Sequence, residues 1–275
     1  MIGIMQGRLS SPLSEKIQEF PWNSWKEEFA RAQLLSVKLI EWTLDYFRMF
    51  ENPIMDEENE TIVGKIINEH GVSVTSITLD CFLEAPIHRS NPLTGLKSSI
   101  TDLKAVVNSV SKVGVEIGVL PLVAESGQDD LATLRILISH LAELEELCSQ
   151  RQFKIALECE FPLPLIEFIA EQIEFIPHVG FNFDIGNSAS LGNNPLEEIR
   201  VCGSKLFNVH IKDRKYLGKT VPLGQGDANF NLIAEELRRM NYDGNMILQV
   251  ARKQTGQELE TIREYLDFCL KLGWR

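Results

Sequence analysis

The sequence of 275 residues lacks the features of membrane and secreted proteins. Its longest apolar runs are far shorter than the roughly 20 residues of a membrane-spanning helix, and its first residues do not have the charged-then-apolar pattern of a secretory signal. The five cysteines are an odd number with no CxxC pair, which argues against a disulfide framework and a cysteine-built zinc site. The sequence therefore predicts a cytoplasmic protein with reduced thiols and no membrane partner.

Positive charge is also scarce, because 27 lysines and arginines stand against 39 aspartates and glutamates, for a net charge of −12. Such a charge repels the phosphates of nucleic acids and of anionic lipids. No basic run offsets it. We therefore expect a small-molecule substrate and no nucleic-acid partner, while the sequence does not decide between a monomer and a homo-oligomer.

The sequence does contain a regular alternation of short apolar runs and amphipathic stretches. Eight runs have the composition of buried strands, and they are residues 2–5, 38–44, 72–79, 115–123, 154–158, 179–183, 206–211 and 245–250. Helix-like stretches between them include 25–35, 132–147, 230–240 and 258–272. This eight-fold alternation predicts an α/β fold, a single (β/α)8 TIM barrel domain over residues 1–275.

A doubly wound open sheet is the alternative architecture. It usually has a glycine-rich phosphate turn after its first strand. Here that turn is MQGRLS, with one glycine, which favours the barrel. In a βα-barrel the active site lies at the C-terminal ends of the strands, so polar residues at those ends are the candidates for function.

Two acids and a histidine stand at the ends of three successive predicted strands. Glu158 in LECE, Asp184 in NFDIGN and His210 in NVHIKDR follow one another at equal spacing. Each alone has a structural explanation, such as a surface charge, an Asx turn or a core histidine. Together, two carboxylates and an imidazole from neighbouring strands predict a site for Mg²⁺, Mn²⁺ or Zn²⁺.

Basic residues at the predicted strand ends indicate a substrate with an anionic group, such as a phosphate. Pairing of these residues with local acids, such as Asp213 or Asp227, explains them equally well. Further polar strand-end residues are expected to line the same site. The residues predicted to bind substrate are Arg8, Glu41, Asn187, Lys212 and Arg214.

Several motifs, in their order and spacing, resemble the xylose-isomerase-like TIM barrel superfamily, most closely its sugar-phosphate isomerases and epimerases related to the pentulose- and hexulose-phosphate 3-epimerases. The motifs are MQGRLS, FPW, IEWTLD, LECE, NFDIGNSASLGNNP, NVHIKDR, TVPLGQGDANF and MILQVAR. The resemblance spans essentially the whole chain. It implies a metal-dependent enzyme that moves a proton next to a sugar carbonyl, with metal ligands at Glu158, Asp184, His210 and Gln249.

The fourth ligand position departs from the family pattern, which has a glutamate there. The amide oxygen of Gln249 can bind a metal but brings no charge, so we expect a weakly bound ion. An epimerase usually needs two acid/base groups on opposite faces of a carbon, whereas an aldose–ketose isomerase needs one. Because Gln249 cannot titrate, the sequence favours one-base isomerisation, with Glu158 and Gln249 at the two catalytic positions.

Two other functions stay open. The chain could be a barrel that binds a sugar phosphate without catalysis, or a scaffold that retains only the fold. An ordered metal with an open coordination position at Glu158, Asp184 and His210 would argue against both. The superfamily also includes the family-2 apurinic endonucleases. Their DNA-repair chemistry requires more histidine and acidic ligands, with a basic surface, so the charge of −12 disfavours this function.

Overall fold

In the computed structural model the eight apolar runs form a closed barrel of parallel strands. The structure describes residues 1–14, 18–87, 96–123 and 131–274. Neighbours in the barrel follow chain order, and the first strand closes onto the last. The predicted (β/α)8 TIM barrel is therefore confirmed. The strands are β1 Ile2–Met5, β2 Leu39–Thr43, β3 Ser73–Thr78, β4 Ile117–Leu122, β5 Lys154–Cys159, β6 Val179–Asp184, β7 Leu206–Ile211, β8 Asp213–Arg214, β9 Thr220–Val221 and β10 Asn245–Leu248, of which β8 and β9 form a separate antiparallel hairpin.

The connections between the barrel strands carry the helices. In α5, for example, buried residues recur every three or four positions from Leu134 to Cys148, which is the spacing of one helix face. Among the described helices, none combines the length and apolarity needed to cross a membrane. The helices are α1 Trp25–Leu34, α2 Glu57–His70, α3 Cys81–Glu84, α4 Leu96–Val110, α5 Leu131–Arg151, α6 Leu163–Gln172, α7 Ile185–Leu191, α8 Pro195–Cys202, α9 Phe230–Arg239 and α10 Glu258–Lys271.

Strand alternation brings the polar residues of β6 and β7 into the barrel. Residues two apart on a strand share a face, so Asn208 and His210 point the same way, as do Asn182 and Asp184. The parallel register pairs Asn182 with Asn208 and Asp184 with His210. All four are buried. Two polar layers therefore stack inside the barrel. The layer of Asp184 and His210 lies at the C-terminal ends of the strands.

The hairpin of β8 and β9 directly follows β7, at the C-terminal end of the barrel. Its position is fixed by Asp213, whose Oδ2 accepts the backbone N–H groups of Gly224 at 2.9 Å and Gly226 at 2.8 Å. A Cβ at residue 226 would lie 1.9 Å from Asp213 Oδ1, so this close approach requires glycine. Lys212 and Arg214 flank Asp213 in sequence and are therefore held at the same end of the barrel.

Candidate active site

The C-terminal ends of β5, β6 and β7 bring Glu158, Asp184 and His210 together. One side-chain donor atom from each lies within 4.8 Å of the other two. All three side chains are buried, with at most 4% of any residue exposed. Donor atoms this close, from two carboxylates and an imidazole, have the composition and the spacing of a divalent-metal site.

His210 lies between two glutamates. Its Nε2 is 2.6 Å from Glu41 Oε1, and its Nδ1 is 3.2 Å from Glu158 Oε2. Glu41 is held in turn by Asn208, whose Nδ2 donates to Glu41 Oε2 at 3.0 Å. Burial alone would lower the pKa of His210, but the charges of Glu41 and Glu158 outweigh it and raise that pKa to about 10.

The two carboxylates of the cluster respond differently to their surroundings. Burial acts to raise the pKa of Glu158, but the positive charge of His210, followed by that of Lys212, lowers it to about 2. Burial raises the pKa of Asp184 above its ordinary value, against the opposing charge of Lys212. Glu158 is therefore ionised at neutral pH, as a metal ligand or a general base must be.

Lys212 connects the cluster to Gln249. Its Nζ lies 2.7 Å from Asp184 Oδ2 and donates to Gln249 Oε1 at 2.8 Å. The amide of Gln249 donates to Gln18 Oε1 at 3.1 Å, and Gln18 Nε2 donates to Asp80 Oδ2 at 2.7 Å. The side-chain oxygen of Gln249 thus faces a lysine, and a hydrogen-bonded path continues from it to Asp80.

Asn187 and Arg214 form the opposite wall. The backbone N–H of Asn187 donates to Asp184 Oδ1 at 2.9 Å, which caps α7, and its Nδ2 donates to Glu158 Oε1 at 3.1 Å. Arg214 Nη1 contacts Glu160 Oε1 at 2.6 Å and donates to Asn187 Oδ1 at 2.8 Å. Asn187 therefore holds both carboxylates of the cluster in place.

Two of the three basic residues proposed for an anionic substrate, Lys212 and Arg214, have acidic partners, although not the expected ones. Lys212 pairs with Asp184, and Arg214 with Glu160. Asp213 instead accepts the backbone N–H groups of Gly224 and Gly226. Asp227 instead contacts Lys215 at 3.4 Å. Lys212 and Arg214 therefore do pair with acids, as one of the two alternatives held, but the partners are Asp184 at the end of β6 and Glu160 just after β5 rather than Asp213 or Asp227.

A cavity of about 560 Å³ opens above the cluster, a volume typical of small-molecule sites. Among the predicted residues, Glu158, Asn187, Lys212, Arg214 and Gln249 line it. Asp184 and His210 lie in contact with these residues beneath the cavity.

Two other predicted residues lie elsewhere. Glu41 is fully buried below His210, where it contacts the ring and has no exposed surface for a substrate. Arg8 lines a separate small cavity beside Val250 and Arg252. Its guanidinium Nε donates to the carbonyl oxygen of Val250 at 2.8 Å. Neither residue lines the 560 Å³ cavity in the described structure.

Sequence reasoning gave no role to three residues that support the site. Asn208 is two positions before His210, so strand alternation alone places it on the same inward face. Asp80 follows β3 and lines the cavity, as does Gln18. Gln18 lies in a segment without a regular element, and no sequence pattern indicates it.

The residues present fit a divalent metal. In the described structure, His210 Nδ1 and Asp184 Oδ2 are buried and lie near ionic partners without a well-directed hydrogen bond. The contact of His210 Nε2 with Glu41 leaves Nδ1 free to serve as a metal ligand, as in carboxylate–histidine–metal sites. With a neutral imidazole, the charges of Glu41, Glu158, Asp184 and Lys212 sum to minus two, which a divalent ion would balance.

Comparison with known proteins agrees with the fold. The family model described as "Xylose isomerase-like TIM barrel" matches residues 29–272. L-ribulose-5-phosphate 3-epimerase of Escherichia coli O8 is 23% identical over 240 residues, with 82% of each chain covered. This relative is an isomerase-type enzyme.

Solved structures with the same fold are also similar over nearly their whole length. D-psicose 3-epimerase of Clostridium cellulolyticum has a TM-score of 0.78 at 14% identity, covering 100% of this chain and 99% of that one. 3-Keto-D-glucoside 4-epimerase of E. coli has a TM-score of 0.73 at 18% identity, covering 98% of both chains. By the family match, together with the closed barrel, the chain belongs to the xylose isomerase-like TIM barrel family.

Proposed function

We propose that this chain is a metal-dependent isomerase or epimerase of a sugar or sugar phosphate, which moves a proton at the carbon next to a carbonyl through an enediolate. The observation that carries the proposal is the buried convergence of Glu158, Asp184 and His210 below a cavity of substrate size. The epimerase relatives support the same reaction class.

Glu158, Asp184 and the Nδ1 of His210 are the groups that would hold the metal, with the oxygen of Gln249 as a fourth candidate. A divalent ion bound there supplies Lewis-acid stabilisation of the developing enediolate. The oxygen of Gln249 already accepts a hydrogen bond from Lys212 at 2.8 Å, so a bound ion would compete with the ammonium group for that oxygen. The predicted weak metal binding follows from this competition and from the missing charge.

Glu158 is proposed as the general base. It is ionised, it lines the cavity, and Asn187 fixes its Oε1. A general base must lie within hydrogen-bond reach of the proton that it removes. Lys212 and Asn187 both line the cavity with N–H donors, which would orient the hydroxyl groups of a sugar. One-base isomerisation requires no further group, so it stays the simplest reaction for Glu158 acting alone.

The substrate is proposed to be a free or phosphorylated sugar rather than a nucleic acid. The net charge of −12 disfavours a polyanion. Arg214 and Lys212 would take part in binding a phosphate by exchanging an acidic partner for the substrate. The five buried cysteines are all free, which supports the proposed cytoplasmic location.

The test is C–H exchange in D₂O, followed by NMR with the Mn²⁺-loaded protein and a panel of free and phosphorylated ketoses. We expect deuterium at the carbon next to the carbonyl of one panel member. Glu158→Gln should reduce that exchange at least about 100-fold, as removal of a general base does. Glu171→Gln, which makes the same change at an exposed position on α6, is the control. Sugar binding without any exchange in wild type would instead identify a non-catalytic barrel.

A further inference from the structure

A second carboxyl group lines the cavity that contains Glu158. Asp80 directly follows β3, and β4 separates that strand from β5, which carries Glu158. Both side chains border the same space of about 560 Å³. They therefore approach a molecule in the cavity from different strands, whereas the proposed metal ligands all come from β5, β6 and β7 and the end of β10.

Hydrogen bonds hold the Asp80 carboxylate in a defined orientation. Thr78 Oγ1 donates to its Oδ1 at 2.5 Å, and Gln18 Nε2 donates to its Oδ2 at 2.7 Å. Both of these hydrogen bonds come from neutral groups, while the charge of Arg8 also acts on Asp80. A carboxyl group held by neutral donors can take up and release a proton without breaking a salt bridge.

The surroundings of Asp80 also suit proton transfer near neutral pH. Burial, together with the negative charges of Asp45 and Glu158, raises the pKa of Asp80 to about 6. A carboxyl group with a pKa near neutrality can act as a general acid or as a general base.

Gln249 cannot fill this second role, because an amide does not titrate in the physiological range. Its position is nevertheless linked to Asp80, since Gln18 accepts from Gln249 and donates to Asp80. The carboxyl group that the family pattern has at residue 249 is thus absent, and a different carboxyl group lies at the other end of the same hydrogen-bonded path.

We propose that Asp80 is the second acid/base group of this site, on a different strand end from Glu158, and that the chain epimerises a ketose at the carbon next to its carbonyl. The assignment rests on the proposed function. A site with one base is expected to isomerise its substrate. With Asp80 as a second acid/base group, the site would instead epimerise it.

The steps balance without a further reactant. Glu158 removes the proton of the substrate carbon, and the electrons of the broken C–H bond form the carbon–carbon double bond of the enediolate. Protonated Asp80 then donates its proton to the opposite face of the same carbon, and the carbonyl re-forms. Glu158 ends protonated and Asp80 ionised, and exchange with solvent restores both. The reverse direction exchanges their roles.

The experiment uses the Mn²⁺-loaded protein in D₂O with D-psicose, D-tagatose and L-ribulose 5-phosphate, and NMR follows epimer formation and C–H exchange separately. In Asp80→Asn we expect epimer formation to fall at least about 100-fold. Exchange of the substrate proton that faces Glu158 should stay within about ten-fold of wild type. Glu158→Gln should lose both, and Asp80→Glu, which keeps an acid, should recover part of the epimerisation.

Folding and metal binding are checked independently of turnover, by thermal melting and by Mn²⁺ titration observed by electron paramagnetic resonance. Asp243→Asn makes the same change at an exposed position preceding β10, at the opposite end of the barrel, and should leave all readouts unchanged. The assignment is overturned if Asp80→Asn forms epimer at the wild-type rate, or if it loses exchange and epimerisation equally while still binding Mn²⁺.

Two wild-type results separate this assignment from the proposed function. Aldose–ketose conversion without any epimer would overturn the role of Asp80 and leave the proposed function standing as one-base isomerisation. An absence of exchange with every sugar, in protein that binds Mn²⁺, would overturn the proposed function and the assignment with it.

Discussion

At the scale of single residues, Lys212 carries positive charge into a cluster of acids. Its ammonium contacts Asp184 at 2.7 Å and Gln249 at 2.8 Å. A divalent metal at the same cluster would lie beside this ammonium, and like charges repel. The neutral amide at residue 249 adds nothing to offset that repulsion. The charge of residue 249 should therefore control metal affinity.

Gln249→Glu is expected to tighten Mn²⁺ binding about ten-fold, which corresponds to about 1.4 kcal/mol. The new carboxylate would neutralise Lys212 or bind the ion directly, and both effects favour the divalent cation. Isothermal titration of the metal-free protein measures the change. Gln150→Glu is the matched control, because it adds the same charge at an exposed position at the end of α5, just before β5 begins.

An unchanged Mn²⁺ affinity with a lower melting temperature would contradict this expectation. It would mean that the new carboxylate remains uncompensated beside Glu158 and Asp184. In that case Gln249 serves the site through its hydrogen bonds to Lys212 and Gln18 alone.

The sequence was sufficient to predict which residues meet at the cluster but not how they pair. Glu158, Asp184 and His210 each lie in the last two residues of a strand, and strand ends converge in a barrel whatever the exact register. The partner of Lys212 depends on the register between β6 and β7, which no local pattern specifies. The complete burial of Glu41 could not be predicted either, because it depends on the contact with His210 across the barrel.

At the scale of secondary-structure elements, the barrel strands were predicted because each is a continuous apolar run buried on both faces. The hairpin of β8 and β9 was not predicted. Its strands have two residues each, and long-range contacts such as that of Asp213 with Gly226 hold it in place. Elements that are stabilised by their own sequence pattern can be predicted from the sequence, whereas elements that are stabilised by distant contacts cannot.

Gly180 tests how closely β6 must approach the connection before β7. A Cβ at this position would lie 2.3 Å from the carbonyl oxygen of Lys205 and 2.5 Å from the ring of Phe207. Backbone cannot move aside easily, so Gly180→Ala should lower the free energy of unfolding by about 1–3 kcal/mol. Urea unfolding measures the difference.

Gly64→Ala is the matched control for this prediction. Gly64 lies in α2 with no atom within 4 Å of its added Cβ. Alanine should stabilise the helix there by up to about 1 kcal/mol. If both variants changed stability in the same direction and by the same amount, the close approach at Gly180 would not explain its effect.

At the scale of the whole molecule, an acidic chain keeps several carboxyl groups buried outside the cluster. Glu28 is 1% exposed and accepts the backbone N–H groups of Gly7 and Leu9, yet burial raises its pKa to about 7. Glu198 is 5% exposed, and burial raises its pKa to about 7 as well, against the hydrogen bonds of Ser188 and Asn193. Both groups are more easily protonated in the folded chain than in the unfolded one.

Such groups make the folded state more stable in mild acid than at alkaline pH. Between the ordinary glutamate pKa of 4.5 and the folded value of about 7, the folded chain binds more protons than the unfolded chain. The stabilisation is fully present below pH 4.5 and is lost as the pH rises through 7. In metal-free protein the raised pKa of His210 acts in the same direction, because its stabilisation is lost as the pH rises toward 10.

We therefore expect metal-free wild type to have a larger free energy of unfolding at pH 5 than at pH 8, measured by urea unfolding. Glu198→Gln should reduce that difference by up to about 3 kcal/mol, because one pKa unit corresponds to about 1.4 kcal/mol. The amide keeps an oxygen that can accept from Ser188, so little else changes. Glu197→Gln removes a charge from the adjacent, exposed residue and should leave the pH dependence as it is in wild type. Equal pH dependence in wild type and Glu198→Gln would mean that Glu198 is ionised in the folded chain and that burial does not control its charge.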